Sequence, residues 1–268
     1  MGQTLYLDLG TGISGDMTAA ALIDLGGDQS LLKKGLDSMT VGGFKTEITR
    51  VKKSGIDCCD FNVILDSKHD GHDHDMNYLY GPEETQEHHA HHHHHEHRSY
   101  QDIKEIIDKA DITDGAGKLA HKIFLILAEA ESKAHAVPVD EVHFHEVGAV
   151  DSIVDILSIA ILFDSLDISD VIIPQIIEGT GHVRCQHGVI PVPVPAVVNI
   201  AEKYALPLHI AQDRAGELVT PTGAAFAAAV KTSEELPEKF HIKKCGLGAG
   251  KREYEIPGIV RAMLIEEA

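Results

Sequence analysis

Positive charge is in short supply. Against 42 Asp and Glu the chain carries 23 Lys and Arg, a formal net charge of −19, so phosphate backbones and anionic lipid surfaces are repelled rather than recruited. Neither nucleic acid nor a membrane is an expected partner. Long apolar runs are missing as well: residues 156–163, the most apolar stretch, are closed off by Asp155 and Asp164, far short of the ~20 residues that span a bilayer. The opening segment lacks a basic stretch and places Asp8 where a signal peptide needs an apolar core, and Tyr6 stands where N-myristoylation requires Ser or Thr. Export and lipid anchoring are therefore not expected. The four cysteines, Cys58, Cys59, Cys185 and Cys245, form no CxxC pair, which predicts reduced thiols in the cytoplasm. No Walker A sequence occurs, because Gly117-Lys118 and Gly250-Lys251 lack the upstream glycine and the following hydroxyl, and this excludes a P-loop ATPase. Tryptophan is absent and aromatic residues amount to 5%.

What is present fits a globular protein. The 268 residues, 43% hydrophobic and 24% charged, suffice for one large domain or two small ones with no metal or disulfide staple. Residues 66–98 differ sharply from the rest, holding eleven of the 19 histidines and eight acids but two basic residues. Their apolar content is too low to offset ordering entropy, so a mobile His-rich loop inserted into a folded domain is expected. Elsewhere strand and helix patterns alternate. Residues 4–9 read as a buried strand, 10–15 as a glycine turn and 16–25 as a helix; residues 44–52 and 56–65 read as a hairpin around Ser54-Gly55. Ser99 with Asp102 opens a helix to Lys109, a longer helix covers residues 114–135, and residues 151–163 form a centrally buried helix. A strand over 171–177, a proline-broken run at Pro191, Pro193 and Pro195, a helix to Tyr204, an Ala-rich helix over 222–230 and two last strands near 241–247 and 258–265 complete the pattern. The prediction is an α/β or α+β domain, a mixed sheet covered by helices. Strand order does not follow from the pattern.

Four clusters have chemical potential. Gly10 to Gly15 matches GxGxxG between a strand and a helix, yet Asp8 and Asp16 would set two carboxylates against a pyrophosphate. A divalent ion between them would reconcile this, since Mg²⁺ favours carboxylates plus phosphate oxygens; otherwise the segment is a tight turn before a helix. His143-Phe-His145-Glu146 precedes Asp151 and Asp155; the two His share a side if the segment is extended, the two Asp share a helical face, and metal binding competes here with ordinary capping. Arg184-Cys185-Gln-His187-Gly188 adds a thiolate and an imidazole, ligands suited to Ni, Zn or Cu, and an Arg suited to a phosphate or carboxylate; a cysteine in a simple turn is the alternative. Thr220-Pro-Thr222-Gly223 starts a helix and offers hydroxyls and free N–H groups to an anion or merely caps it. Gly246 to Arg252 reads as a glycine turn with two cations or as a strand connection. Finally, His91, His92, His93, His94 and His95, with six more imidazoles nearby, suit loose capture of Ni²⁺, Zn²⁺ or Cu²⁺.

Taken together, these motifs resemble those of the nickel-insertion proteins of nickel-pincer cofactor biosynthesis, the LarC family, which serve lactate racemase. The resemblance rests on Asp8 with Gly12-Ile-Ser14-Gly15-Asp16-Met17, the internal His tract, residues 143–155, Cys185-Gln-His187-Gly188 with Pro191-Val-Pro193, and Gly216 to Gly223. It implies a CTP-dependent cyclometallase that places Ni²⁺ in pyridinium-3,5-bisthiocarboxylic acid mononucleotide, forming two Ni–S bonds and one Ni–C bond while CTP becomes CMP and pyrophosphate. Mn²⁺ or Mg²⁺ would accompany the nucleotide. Members of the family continue into a further C-terminal domain, so residues 1–268 look like the N-terminal part, with a separate C-terminal polypeptide as a possible partner and lactate racemase apoprotein downstream. In this reading the His loop passes Ni²⁺ to a fixed site of His143, His145, Glu146, Cys185 and His187. Asp8, Asp16, Asp151 and Asp155 are divided between a hard divalent ion and the base for the ring proton. Gly12, Ser14 and Gly15 accompany the nucleotide, and Arg184, Thr220 and Thr222 hold phosphate. A noncatalytic nickel store and a nucleotide-dependent phosphotransferase are the competing readings.

Overall fold

The computed structural model describes residues 2–66, 76–81, 98–144, 150–185 and 187–268. Their elements run β1 (Gln3–Asp8), α1 (Gly15–Leu25), α2 (Gln29–Asp37), β2 (Phe44–Lys53), β3 (Ile56–Leu65), α3 (Met76–Tyr80), β4 (Arg98–Ser99), α4 (Tyr100–Lys109), α5 (Asp114–His135), β5 (His143–Phe144) and α6 (Val150–Ser165). The second half comprises β6 (Ile168–Ile172), β7 (Ile176–Thr180), β8 (His182–Cys185), β9 (Gly188–Pro191), α7 (Pro195–Tyr204), β10 (Leu208–Ala215), α8 (Pro221–Val230), β11 (Phe240–Ala249) and β12 (Ile259–Glu267).

Six strands form a mixed sheet in the order β2-β3-β11-β12-β1-β6. The β3–β11 and β1–β6 pairs are parallel and the others antiparallel. Helix α1 lies directly on this sheet because the strand beneath it gives way: a Cβ on Gly248 would sit 2.0 Å from Met17 O. The glycines at 246 and 248 thus belong to strand β11 and admit a helix backbone, rather than forming a turn. Behind α1 runs α6, whose Ile153, Val154, Ile156, Leu157 and Ile159 are all buried. Helix α5 packs on α6, α7 and α8 through Ala120, Ile123, Phe124 and Leu127. Burying a Leu, Ile or Phe side chain contributes ~1.5–3 kcal/mol, so this central layer is the main source of stability. A two-stranded parallel pair, β7–β10, continues from the bottom of β1 through the Leu9–Ile176 bridge.

The local signals explain the elements. Ser54 and Gly55 both have positive φ, as a two-residue hairpin turn requires, and join β2 to β3. Ser99 and Asp102 make the reciprocal capping box at α4. Three expectations need correction. The strand expected over 171–177 is two strands, because the chain breaks between Ile172 and Ile176 at Pro174 to leave one sheet and enter another. The proline-broken run expected from Pro191 begins one residue later, because Pro191 closes the ladder of the β8–β9 hairpin opposite His182. Within the stretch expected to be a loop, Met76–Tyr80 is helical and Leu79 is buried in the main core. The four cysteines are free thiols, Cys58 and Cys59 buried. Among the described residues, no helix is long and apolar enough to cross a membrane.

Candidate functional site

Chain segments far apart in sequence close around a cavity of about 400 Å³. The first turns of α1 (Ser14, Gly15, Asp16), α6 (Asp151, Ser152), α7 (Pro195, Ala196) and α8 (Pro221, Thr222) all line it, with Asp155 one turn further along α6. Each first turn brings the positive end of a helix dipole to the wall, where it opposes the charge of the carboxylates that share it. Lys251, Arg252 and Arg184 add three cationic side chains to the wall.

The packing is close. The segment after β1 zips onto the strand-like residues before α8: Ile13 N–H donates to Leu218 O at 2.9 Å and Thr220 N–H to Ile13 O at 3.0 Å. This brings α1 against α8 and α6, and a Cβ on Gly15 would stand 2.6 Å from Asp155 Oδ2 and 3.1 Å from Thr222 Cγ2. Thr220 Oγ1 caps α8 by accepting from Gly223 N–H at 3.3 Å. Ser14 Oγ donates to Asp16 Oδ1. Asp16 is buried, with its other oxygen 3.8 Å from Lys251 Nζ, and Lys251 also donates to Phe61 O at 2.7 Å.

Asp155 is strongly perturbed. Its burial, then the neighbouring Asp16 and Asp151 charges, push its pKa well above the usual carboxylate range, with Lys251 opposing. Its Oδ1 is buried without a hydrogen-bond partner among the described residues. A carboxyl in that position binds a proton tightly and, once ionised, is a strong base or a ready oxygen ligand.

A second group of buried charges forms the floor. Glu217 pairs with Arg252 at 2.5 Å, and although burial disfavours the Arg252 charge, Glu217 outweighs it and keeps the guanidinium protonated. Tyr254 Oη donates to Glu217 O at 2.7 Å and lies 3.0 Å from Tyr80 Oη, while Glu217 N–H donates to Tyr80 Oη at 3.0 Å. Beneath them Glu178, fully buried, accepts at Oε1 from the N–H groups of Gly179 (2.8 Å), Leu218 (2.7 Å) and Val219 (3.2 Å). Burial outweighs those three bonds and pushes its pKa up to about 7.

The opposite wall is softer. Cys185 Sγ and His187 Nδ1 are 3.8 Å apart at the tip of the β8–β9 hairpin. The His187 ring lies 4.9 Å from that of His135, at the end of α5, and His135 Nε2 is 3.3 Å from Glu131 Oε2. Arg184 Nη1 donates to Tyr78 O at 3.2 Å.

Of the sequence-derived candidates, the cavity wall gathers Ser14, Gly15, Asp16, Asp151, Asp155, Arg184, Cys185, His187, Thr220 and Thr222. Asp8 and Gly12 do not line it. Asp8 pairs with Arg261 on the neighbouring strand β12 and accepts from Gly10 N–H at 3.1 Å. Gly12 has φ +88° and a Cβ there would meet Leu218 O at 2.0 Å, so its part is to let two backbones touch. His143 is placed by its backbone in β5, opposite Ser99; its side chain, together with His145, Glu146 and His91, His92, His93, His94 and His95, lies outside the described residues. Among the described residues, no three His, Cys, Asp or Glu side chains converge as a ready-made metal cage. Sequence reasoning missed Thr11, Glu131, His135, Glu178 and Tyr254. The burial of Glu178 inside an apolar strand, IIEGT, was the one signal available; the others gain their place only through the fold.

A helix-lined cavity with carboxylates on one side and a thiol and imidazoles on the other brings together donor types for hard and for softer metal ions. The chain belongs to the nickel insertion protein family, whose match covers residues 5–268. It is 51% identical, over its whole length, to the pyridinium-3,5-bisthiocarboxylic acid mononucleotide nickel insertion protein of Alkaliphilus metalliredigens, covering 61% of that protein. It is 43% identical to the protein of the same description from Clostridium acetobutylicum, across 99% of this chain and 64% of the relative. For the one from Acetivibrio thermocellus the figures are 39%, 94% and 57%. The chain thus spans about three fifths of the length of these curated relatives. No solved structure matches it.

Proposed function

We propose that this chain carries the metal-and-substrate half of a CTP-dependent cyclometallase, inserting Ni²⁺ into pyridinium-3,5-bisthiocarboxylic acid mononucleotide to mature the nickel-pincer cofactor of lactate racemase. The observation that carries the reading is the composition of one cavity: four helix N-termini and three cations facing a base-competent Asp155 and a Cys185–His187 pair. The substrate has a phosphate and two thiocarboxylates, three anionic groups that such N-termini and cations hold. Its relatives' description names that substrate.

In the proposed mechanism, Thr220 and Thr222 at the start of α8, with Arg184, hold the phosphate and orient the pyridinium ring toward Asp155. Asp155 takes the ring proton. The two electrons of that C–H bond become the Ni–C bond, and the two thiocarboxylate sulfurs complete the attachment of Ni²⁺, which enters as substrate. Burial and the Asp16 and Asp151 charges make Asp155 more basic than an ordinary carboxylate, and general-base catalysis of this kind is worth ~10²–10⁴-fold. With Asp155 kept as the base, the Asp16 and Asp151 carboxylates on the same wall fit the chemistry of Mn²⁺ or Mg²⁺; when bound there, such an ion would neutralise nucleotide phosphate charge. Ser14 and Gly15, at the start of α1, are the groups for the nucleotide, and the remaining two fifths of the relatives' length supplies the rest of its site.

The test is mass spectrometry of the bisthiocarboxylate after incubation with the chain, Ni²⁺, Mn²⁺ and CTP, with and without the remaining part of a longer relative as a separate polypeptide. A nickel-bearing product with the nickel isotope pattern supports the reading. The His-rich residues 66–98 favour a second reading, a nickel store. In that case no product forms under either condition, and deletion of residues 67–97 removes all tight nickel binding.

A further inference from the structure

Beside the reaction cavity lies a second one of about 360 Å³, which shares Thr11, Leu218 and Tyr254 with it. Arg214, near the end of β10, lines it together with the exposed carboxylates of Asp213, Glu253 and Glu255. Among the described residues, none of these four charges is in an ion pair. Arg214 Nη1 donates to Gly10 O at 2.6 Å, and its Nε is buried with no hydrogen-bond partner among the described residues. Tyr80 and Tyr254 supply an aromatic wall. We infer that this pocket docks a zwitterion, a delocalised organic cation carrying a carboxylate or thiocarboxylate, and that it holds the pyridinium substrate beside the reaction cavity. The substrate's identity rests on the proposed function; the ligand class rests on the pocket alone.

Each end of such a ligand meets a group that lacks a partner. A buried donor left unpaired is a cost that a ligand's acceptor removes, and a carboxylate is the acceptor that the guanidinium fork matches. With Nη1 already fixed on a backbone oxygen, the fork is held in place and its Nε edge is left for the ligand. The cationic end is served by the tyrosine rings, which attract a delocalised positive charge, and by the three carboxylates. The aromatic wall is set before any ligand arrives. Tyr80 Oη and Tyr254 Oη are 3.0 Å apart and the rings meet edge to face with centroids 6.2 Å apart. Both close over Gly216, whose φ is +100° and where a Cβ would stand 2.6 Å from Tyr254 Cε1 and 3.2 Å from Tyr80 Oη. Simpler ligands fit the charges less well. Three carboxylates repel a plain anion, and a plain cation leaves Arg214 Nε unpaired. The substrate named for the relatives joins a pyridinium ring to two thiocarboxylates, the two charges this pocket complements.

The experiment measures, by isothermal titration of the full chain, the affinities of three phosphate-free probes: N-methylnicotinate, with ring charge and carboxylate; N-methylnicotinamide, with the ring charge alone; and nicotinate, with the carboxylate alone. N-methylnicotinate should bind about 10-fold or more tighter than N-methylnicotinamide and about 3-fold or more tighter than nicotinate. Arg214→Gln should erase the first preference and keep the second. The double variant Glu253→Gln, Glu255→Gln should shrink the second and keep the first; it changes exposed side chains only, so it decides the matter even if Arg214→Gln unfolds. Asp155→Asn, in the neighbouring cavity, should leave both preferences as they are. Equal affinities for the three probes, or preferences that respond to Asp155→Asn and not to the pocket variants, overturn the site. The nickel-insertion assay separates the two levels. There Arg214→Gln should raise the bisthiocarboxylate concentration for half-maximal rate by about 10-fold at an unchanged maximal rate; an unchanged half-maximal concentration overturns the pocket's service to the substrate. Wild-type product without probe preferences would sink the pocket and leave the function standing, whereas the expected preferences with no product would keep the zwitterion site and remove the function.

Discussion

Changing Glu178 to Gln should flatten part of the pH dependence of stability, by an amount the structure specifies. Glu178 is fully buried in β7, and its Oε1 accepts three backbone N–H bonds that pin residues 217–219 to the sheet. Burial raises its pKa from 4.5 to about 7. Because the folded state binds this proton more tightly than the unfolded chain, the associated stability is complete below about pH 4.5 and is lost as pH rises through about 7. A shift of about 2.5 units corresponds to ~3.4 kcal/mol in all, at 1.36 kcal/mol per unit, of which ~2.5 kcal/mol falls between about pH 5 and pH 8. Gln keeps the carbonyl acceptor and does not titrate, so it retains the three N–H bonds and loses the proton linkage. Urea unfolding at both pH values, on wild type and Glu178→Gln, gives the double difference, in which every other titrating group cancels. A value of ~2–3 kcal/mol is expected. Parallel pH profiles, within ~0.5 kcal/mol, would refute the argument that burial outweighs the N–H bonds.

Three further outcomes follow from the same geometry. Asp155→Asn should lower nickel insertion by ~10²-fold or more, while its Tm at pH 8 equals or exceeds that of wild type, since the raised Asp155 pKa makes the ionised carboxylate a cost to the folded state at high pH; a Tm well below wild type at pH 8 would contradict this. Glu217→Gln removes the buried carboxylate paired with the half-buried Arg252 and should cost ~3–5 kcal/mol in chemical denaturation, and a loss below ~1 kcal/mol would show that the pair is solvated. Gly12→Ala meets both a φ of +88° and Leu218 O at 2.0 Å, so it should destabilise by more than ~2 kcal/mol; a neutral effect would mean that residues 9–14 do not close on residues 218–220.

The elements that could be read from the sequence are those whose signals are local. The β1, turn and α1 unit, the Ser54-Gly55 hairpin, the Ser99–Asp102 cap and the apolar α6 each follow from periodicity or capping within a dozen residues. Strands β8 and β9 escaped notice because a short hairpin with a proline at its end reads as a loop, and β6 and β7 because one apolar run serves two sheets. At the site, motif spacing could bring out Asp16, Asp151, Asp155, Cys185 and Thr220. It misjudged the likeness between Asp8 and Asp16, because the two carboxylates lie on opposite sides of a turn: Asp16 faces the cavity, whereas Asp8 faces Arg261 across the sheet. His135 and Glu131 sit at i, i+4 on a helix with an ordinary amphipathic pattern, and nothing local marks them. Only the return of the β8–β9 hairpin onto the end of α5 gives them neighbours.

The central claim is that the chemistry occurs at the cavity where α1, α6 and α8 meet. It is tested most directly by following nickel-bearing product by mass spectrometry, in single turnover with Ni²⁺, Mn²⁺, CTP and the remaining part of a longer relative, for wild type, Asp155→Asn and Asp8→Asn. The account predicts product from wild type and Asp8→Asn at similar rates and a loss of ~10²-fold or more for Asp155→Asn. Full activity of Asp155→Asn, or equal loss at Asp8, would place the chemistry elsewhere.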